Sequence, residues 1–314
     1  VDNNGITWCP NYSEPGFSGN ALIAMDQNNE FYGFQNMVSP TTRGYIHMAI
    51  DLNGTKWLGS YSNLSSGLMY YNENNTLEDK SDDINGIIRS SNSPDLLSNS
   101  MTSLAVDDLG LLWIGMINGI SVLLNPEAVI FDNQLIFRSI DFLENVRVND
   151  IIIDNINQKW IATSDGVWVL NEDGNEIVAQ INSGNSPLPT DNIISLAMND
   201  NTGEVYFGTK QGLYTAFSLA AAPLESYELF CYPQPFDPQK DGNIVIDGLA
   251  EDSYIKIVTT SGELITDFRA KGKKTLWNGR DDNNRLVDSG VYLIVAESVT
   301  SNASSVAKIA IVRK

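Results

Sequence analysis

The sequence is poor in the residues that most catalytic and metal sites need. It has one histidine, His47, and two cysteines, Cys9 and Cys231, among 314 residues. No cluster of Cys and His has the spacing of a zinc site. We interpret the two cysteines as free thiols, with a disulfide between them as the open alternative. We expect a structural role for His47, because it lies in no catalytic motif.

Positive charge is also scarce, and its distribution is uneven. Nineteen Lys and Arg face 39 Asp and Glu, which gives a net charge of −20. Phosphate binding depends on Lys and Arg, so a nucleic-acid partner is not expected. Residues 230–314 carry 11 basic and 11 acidic side chains, so the whole excess lies in residues 1–229. This shift predicts a first domain over 1–218, a linker over 219–229 and a second domain over 230–314.

Long apolar runs and familiar enzyme motifs are missing as well. No window approaches the roughly 18 consecutive apolar residues of a transmembrane helix. Neither a phosphate-binding loop nor the motifs of serine hydrolases and zinc proteases occur. We therefore expect no enzyme and no cofactor. The Asp- and Asn-rich turns, such as residues 281–284, leave Ca²⁺ open as an alternative to simple turn capping.

The chain does contain a repeat of about 50 residues. In each copy an Asp is followed six positions later by an aromatic residue, and then by a Gly-aliphatic pair. The opening segment from Asp2 to Trp8 has the same Asp-to-aromatic spacing. The other anchors are Asp51 and Trp57, Asp107 and Trp113, Asp154 and Trp160, and Asp200 and Tyr206.

Each repeat is typical of a small meander of strands. A short apolar strand precedes the Asp, the Asp caps a turn, and the aromatic residue begins the returning strand. Such a unit cannot bury both of its faces alone, so neighbouring units must stack. Repeated four-stranded units of this length predict β-propeller blades. Because the chain opens inside a repeat, we expect the five blades to belong to a larger propeller, with a five-bladed ring as the alternative.

The repeat also resembles a known family. The segment from Ser103 to Gly115, followed by Gly119 and Ile120, is similar to the two-component regulator propeller repeat. The resemblance covers residues 1 to about 217. It implies a propeller of the kind found in extracellular sensors and surface proteins of Bacteroidetes-type bacteria.

Residues 230–314 follow a different pattern. Apolar or alternating runs broken by glycines predict a β-sandwich. The candidate strands are 243–246, 254–259, 263–269, 291–297 and 305–312. Four cations cluster around Gly272, which we interpret as a hairpin tip. These residues, Arg269, Lys271, Lys273 and Lys274, are the candidate ligand-binding site for phosphate or acidic sugar, with a solvated hairpin as the alternative.

This second region also resembles a known domain. It opens with Tyr-Pro-Gln-Pro-Phe at 232–236 and contains a Trp-x-Gly-x-Asp block followed by Ser-Gly-Val-Tyr. These motifs resemble the C-terminal sorting domain of the type IX secretion system and the related hook-scaffold immunoglobulin-like domain. The matching residues, for which we expect structural roles, are Trp277, Gly279, Asp281, Gly290 and Tyr292.

The two resemblances together imply a function. They imply a non-enzymatic, surface-exposed component of the type IX attachment complex at the outer membrane, which binds or delivers anionic lipopolysaccharide and contacts partner subunits. Two alternatives stay open. One is an exported cargo whose propeller binds or cleaves glycans, and the other is the periplasmic sensor part of a two-component regulator.

Overall fold

The computed structural model describes residues 1–10, 20–35, 46–59, 67–93, 95–131, 133–299 and 303–313. Over these residues the chain forms 25 strands and two short 3-10 helices, Pro126–Val129 and Asp141–Leu143. The expectation of an all-β protein is confirmed. Among the described segments, no helix has the length and apolar character that a bilayer crossing requires.

Contacts between residues divide the chain into two compact units. The blade unit comprises Val1–Ile153, Asn157–Ala197 and Phe207–Tyr214. The sandwich unit comprises Thr215–Lys314 together with two shorter pieces, Asp154–Ile156 and Met198–Tyr206. The domain limits at 218 and 230 remain a sequence prediction.

Five antiparallel sheets correspond to the five sequence repeats. Consecutive strands pair in each sheet, as expected for meanders. The strands are β1 Thr7–Pro10, β2 Asn20–Met25 and β3 Phe31–Gln35; β4 His47–Ile50, β5 Lys56–Gly59, β6 Leu68–Asn72 and β7 Ile84–Ile88; β8 Met101–Val106, β9 Leu112–Met116, β10 Gly119–Leu123 and β11 Phe137–Ser139; β12 Val148–Ile153, β13 Lys159–Thr163, β14 Gly166–Leu170 and β15 Ile177–Ile181; β16 Ser195–Asn199, β17 Glu204–Thr209 and β18 Gly212–Phe217.

The cores of the blade unit lie between consecutive sheets. One core joins Trp57 of the second sheet to Ile114 of the third. The next joins Trp113 of the third sheet to Ile161 of the fourth. Strands β9 and β13 are therefore buried along their whole length. This arrangement explains why a single repeat would not be stable alone.

Two further sheets pack face to face in the sandwich unit. The strands are β19 Phe230–Tyr232, β20 Ile244–Asp247, β21 Ser253–Thr259, β22 Leu264–Ala270, β23 Lys274–Trp277, β24 Gly290–Ser298 and β25 Ser304–Ile311. Their orders are β19-β20-β23 and β22-β21-β24-β25. Both inner faces contribute to one core, with Ile246 and Trp277 from the first sheet and Ile257 and Ile294 from the second. Five of the seven strands match the sequence prediction within one residue at each end, and the sequence prediction does not include β19 and β23.

The segment predicted as a linker is hydrogen-bonded within the sandwich unit. The N–H of Leu224 donates to the carbonyl of Leu249 at 2.9 Å, and that of Glu228 donates to Gly248 at 2.9 Å. Gly248 has φ +80°, and a β-carbon there would collide with the Glu228 carbonyl group. Glycine at this position therefore permits the close approach of the two backbones.

Candidate functional site

The repeated Asp and Trp form one hydrogen-bonded turn. In the second repeat, Oδ1 of Asp51 accepts the N–H groups of Asn53 and Thr55, each at 2.9 Å, and Oδ2 accepts the indole N–H of Trp57 at 2.9 Å. The first and third repeats have the same three bonds, with Trp distances of 2.8 and 2.9 Å. The spacing of six is therefore the distance at which an indole N–H reaches the carboxylate that caps the turn.

The fifth repeat departs from this geometry. The hydroxyl of Tyr206 donates to Glu204 at 2.6 Å. The turn is capped instead by Asn199, whose Oδ1 accepts the N–H of Asn201 at 3.1 Å. The sequence pattern therefore locates the fifth sheet correctly but names a different capping residue.

Two buried lysines connect neighbouring repeats. Nζ of Lys159, on β13, lies 3.0 Å from Oδ2 of Asp107 and 5.1 Å from the ring centroid of Trp113, both in the preceding repeat. Lys56, on β5, contacts Glu73. Its Nζ also lies 4.0 Å from Oδ2 of Asp2 and 4.0 Å from the ring centroid of Trp8, both in the repeat before it. Both lysine side chains are fully buried. Each Asp–Trp–Lys cluster therefore adds a charged and cation–π contact between two sheets.

A row of polar side chains occupies the first strands of three blades. His47, Ser103 and Asp150 each lie four residues before their repeat Asp. The Ser103 hydroxyl donates to Oδ1 of Asp150 at 3.0 Å, and Oδ2 accepts the N–H of Leu196 at 2.9 Å. Burial lowers the pKa of His47, and the charge of Asp150 partly opposes that shift. Among the described residues, no hydrogen bond joins His47 to Ser103, so the row lacks the geometry of a nucleophile activated by histidine.

This shift of the His47 pKa leads to a testable pH dependence. The folded-state pKa lies below the unfolded value of about 6.5, so the unfolded chain binds more protons just below that pH. Stability from neutral His47 is present above pH 6.5 and is lost as pH falls toward the folded pKa. We expect His47→Gln to reduce the loss of unfolding free energy between about pH 7.5 and 5.5. An unchanged loss, measured by urea unfolding at both pH values, would contradict this assignment.

The four predicted cations do not form a hairpin. β22 and β23 belong to different sheets, and residues 271–273 cross between them. Gly272 is buried, and the N–H of Lys273 donates to the Ala221 carbonyl at 2.9 Å. The hairpin interpretation is therefore wrong, because the two strands do not pair with each other. The connection between them is instead hydrogen-bonded to the backbone of Ala221.

The structure separates the four cations. Lys273 is partly buried and does not line the cavity that holds two of the others. Nζ of Lys274 lies 3.1 Å from Oδ2 of the buried Asp247, so its charge is neutralised locally. Arg269 and Lys271 line a cavity of about 480 Å³. The other lining residues, which the sequence analysis missed because they are distant in the chain, are Asn155, Pro223, Glu251 and Asp252. We take this mixed-charge cavity as the candidate ligand site.

Two residues of the sorting-domain motif, Trp277 and Tyr292, lie in the core of the sandwich unit. The indole N–H of Trp277 donates to the Arg280 carbonyl at 2.9 Å, and its ring meets Tyr292 edge-on at 6.1 Å. Gly279 has φ +71° and Gly290 begins β24. Oδ1 of Asp281 accepts the N–H groups of Asn283 and Arg285 at 3.0 and 2.8 Å. Asp281 thus caps a turn, while Ca²⁺ binding stays an untested alternative.

The two cysteines differ in solvent exposure. Cys9 is exposed and Cys231 is buried, and both are free thiols. Burial raises the pKa of Cys231, and a hydrogen bond from Gln234 partly opposes the shift. Among the described residues, no group of three or more His, Cys, Asp and Glu has the arrangement of a metal site.

A solved structure resembles almost the whole chain. PorZ, an essential bacterial surface component of the type IX secretion system of Porphyromonas gingivalis, matches 99% of this chain at 28% identity, with a TM-score of 0.71. The chain is PorZ-like. The match to PorZ confirms the resemblance to type IX secretion proteins that the sequence analysis identified. The match covers 44% of PorZ, so the chain corresponds to less than half of that protein.

Two other solved structures match the chain with lower identity and a lower TM-score than PorZ. The extracellular domain of BT4673 from B. thetaiotaomicron matches the full chain at 15% identity with a TM-score of 0.48, covering 43% of that protein. The extracellular domain of BT3049 from the same organism matches at 14% identity with a TM-score of 0.49, covering 44%. No protein-family model matches the chain. No curated protein sequence matches it.

Proposed function

We propose that the chain is part of a non-enzymatic surface component of the type IX secretion system, located at the outer-membrane surface. The observation that carries this proposal is the similarity to PorZ over 99% of the chain. Contacts with other subunits of the attachment complex are part of the same proposal.

The state of the C-terminal region at the cell surface tests this proposal. We expect the native protein recovered from the surface to retain residues 230–314. Intact-mass measurement with a peptide map of the C-terminus detects this. A surface form that has lost about 80 C-terminal residues would contradict a machinery component, because it would mean that the domain is a removed export signal and the protein is cargo.

We further propose that anionic lipopolysaccharide binds at the cavity that Arg269 and Lys271 line. The cavity has a size suited to a few sugar or phosphate groups, and its two cations provide point charges for anions. Glu251 and Asp252, which also line the cavity, would favour ligands that also carry hydrogen-bond donors, such as sugar hydroxyls. Lys274 is not part of this proposal, because it does not line the cavity.

A charge reversal tests the proposed ligand site. We expect Lys271→Glu to weaken binding to purified anionic lipopolysaccharide by about five- to tenfold at low salt, since each reversed contact contributes about 1 kcal/mol. Lys308→Glu on β25 is the matched control, because it makes the same change at an exposed position outside the cavity. Equal binding of Lys271→Glu and Lys308→Glu in a surface-immobilised assay would contradict the site.

A further inference from the structure

One edge of the larger sandwich sheet has no pairing strand within the described part of the chain. Strand β22 stands at the end of the order β22-β21-β24-β25, and no described strand pairs with its outer side. The opposite edge is covered, because the N–H of Phe236 donates to Ala310 and that of Val312 donates to Phe236, at 2.8 and 2.9 Å. Strand β22 therefore presents unpaired backbone donors and acceptors to another strand.

The part of the β22 edge that can pair regularly with another strand is short, and its charged residues alternate in sign. A register shift near Val258 ends the regular pairing, which leaves the stretch Thr266–Ala270. Phe268 is at its centre, and it lies opposite Ile255 of β21, on the core face. Asp267 and Arg269 flank it and point to the other face, because side chains alternate along a strand. Neither charged side chain makes a hydrogen bond or an ion pair with another described residue.

We propose that β22 pairs antiparallel with β22 of a second copy, with Phe268 on the two-fold axis. In this register Asp267 of each copy lies opposite Arg269 of the other, which gives two cross-strand pairs of opposite charge. A shift of two residues in one direction would place the two Asp267 carboxylates opposite each other. A shift in the other direction would oppose the two Arg269 guanidinium groups. Both shifts are unfavourable, so the charges select one register.

Apolar contact adds to this pairing. Phe268 is only partly buried and lines a groove of about 330 Å³ with Leu276, which is 38% exposed. Across the two-fold axis the two Phe268 rings become neighbours and form an aromatic pair. Five residues per copy bury much less than the 1,200 Å² or more of a standard interface, so we expect a weak dimer with a dissociation constant of about 10–100 μM.

Paired charge swaps test the register directly. In sedimentation velocity of the full chain up to about 200 μM, we expect Asp267→Arg and Arg269→Asp each to weaken association at least tenfold. The double variant restores opposite charges across the axis and should associate like the wild type. Lys308→Glu, on the covered edge, is the control that should not change association.

Each result bears on the proposal. A wild-type chain that stays monomeric over this range, single variants that associate like wild type, or a double variant as weak as the singles would overturn it. A monomeric result would leave a strand from a different protein as the occupant of the edge. The measurement contains no lipopolysaccharide, and Asp267 does not line the cavity. Loss of association in Asp267→Arg with retained lipopolysaccharide binding therefore separates this proposal from the proposed ligand site.

Discussion

Replacing Asp107 by alanine is expected to lower the free energy of unfolding of the blade unit by about 3–5 kcal/mol. The carboxylate lies 3.0 Å from Nζ of Lys159, and both side chains are fully buried. Its removal leaves an ammonium group in the interior without a counter-ion, which costs much more than the loss of an exposed pair. The indole N–H of Trp113 loses its acceptor in the same step.

A matched control separates the buried charge from the turn. Asp26 caps a turn with the same two backbone bonds, from the N–H groups of Asn28 and Glu30 at 2.9 and 2.8 Å. Among the described residues, Asp26 accepts no hydrogen bond from a tryptophan and forms no ion pair with a lysine, and its side chain is partly exposed. We expect Asp26→Ala to cost only about 1 kcal/mol. An equal cost for Asp107→Ala would mean that the Asp–Trp–Lys cluster adds nothing beyond turn capping.

A second change identifies the lysine as the source of the penalty. Adding Lys159→Met to Asp107→Ala replaces the unpaired charge with an apolar chain of similar length, so part of the lost stability should return. Urea unfolding followed by tryptophan fluorescence measures both variants. The Trp277→Phe background is useful here, because the five remaining tryptophans all lie in the blade unit. No recovery in the double variant would contradict the role of Lys159.

The blade architecture was predictable because the sequence repeat keeps a constant spacing between an Asp and an aromatic residue. In the first three repeats the spacing of Asp and Trp is the one at which the indole N–H reaches the capping carboxylate, whereas the fifth repeat keeps the spacing without that bond. The lysine contacts were not predictable in the same way. Lys56 and Lys159 precede the tryptophan in only two repeats, and each contacts the Asp of a different repeat. A pattern within one repeat does not reveal which neighbour its side chains will reach.

The candidate ligand site could be predicted only in part, for a different reason. Four cations within six residues suggested one exposed hairpin, but neighbouring residues in sequence can enter different sheets. Here the chain leaves β22 at Ala270 and joins the other sheet at Lys274, so the charges separate. Lys274 meets Asp247, and the acidic wall of the cavity comes from Glu251 and Asp252. Nothing in the local sequence around Gly272 identifies these partners.

Replacing Trp277 by alanine is expected to lower the free energy of unfolding of the sandwich unit by about 3–5 kcal/mol. The side chain is 3% exposed and contacts Tyr292 within the core that both sheets share. Its removal leaves a large cavity and frees the Arg280 carbonyl from its donor. Hydrogen exchange of peptides from β24 and β25 measures the effect, and peptides from β8 to β10 of the blade unit serve as the internal reference.

The comparison with Trp277→Phe separates packing from hydrogen bonding. Phenylalanine keeps most of the ring contact but cannot donate to Arg280, so we expect a loss of only about 1–2 kcal/mol. Similar losses in the two variants would contradict a packing role and assign the effect to the hydrogen bond. The proposed function adds a consequence in the cell. If the sandwich must be folded to hold the protein at the surface, Trp277→Ala should strongly reduce the amount of protein at the cell surface, and Trp277→Phe should reduce it only slightly. A normal surface level of Trp277→Ala would mean that surface retention does not depend on the stability of this core.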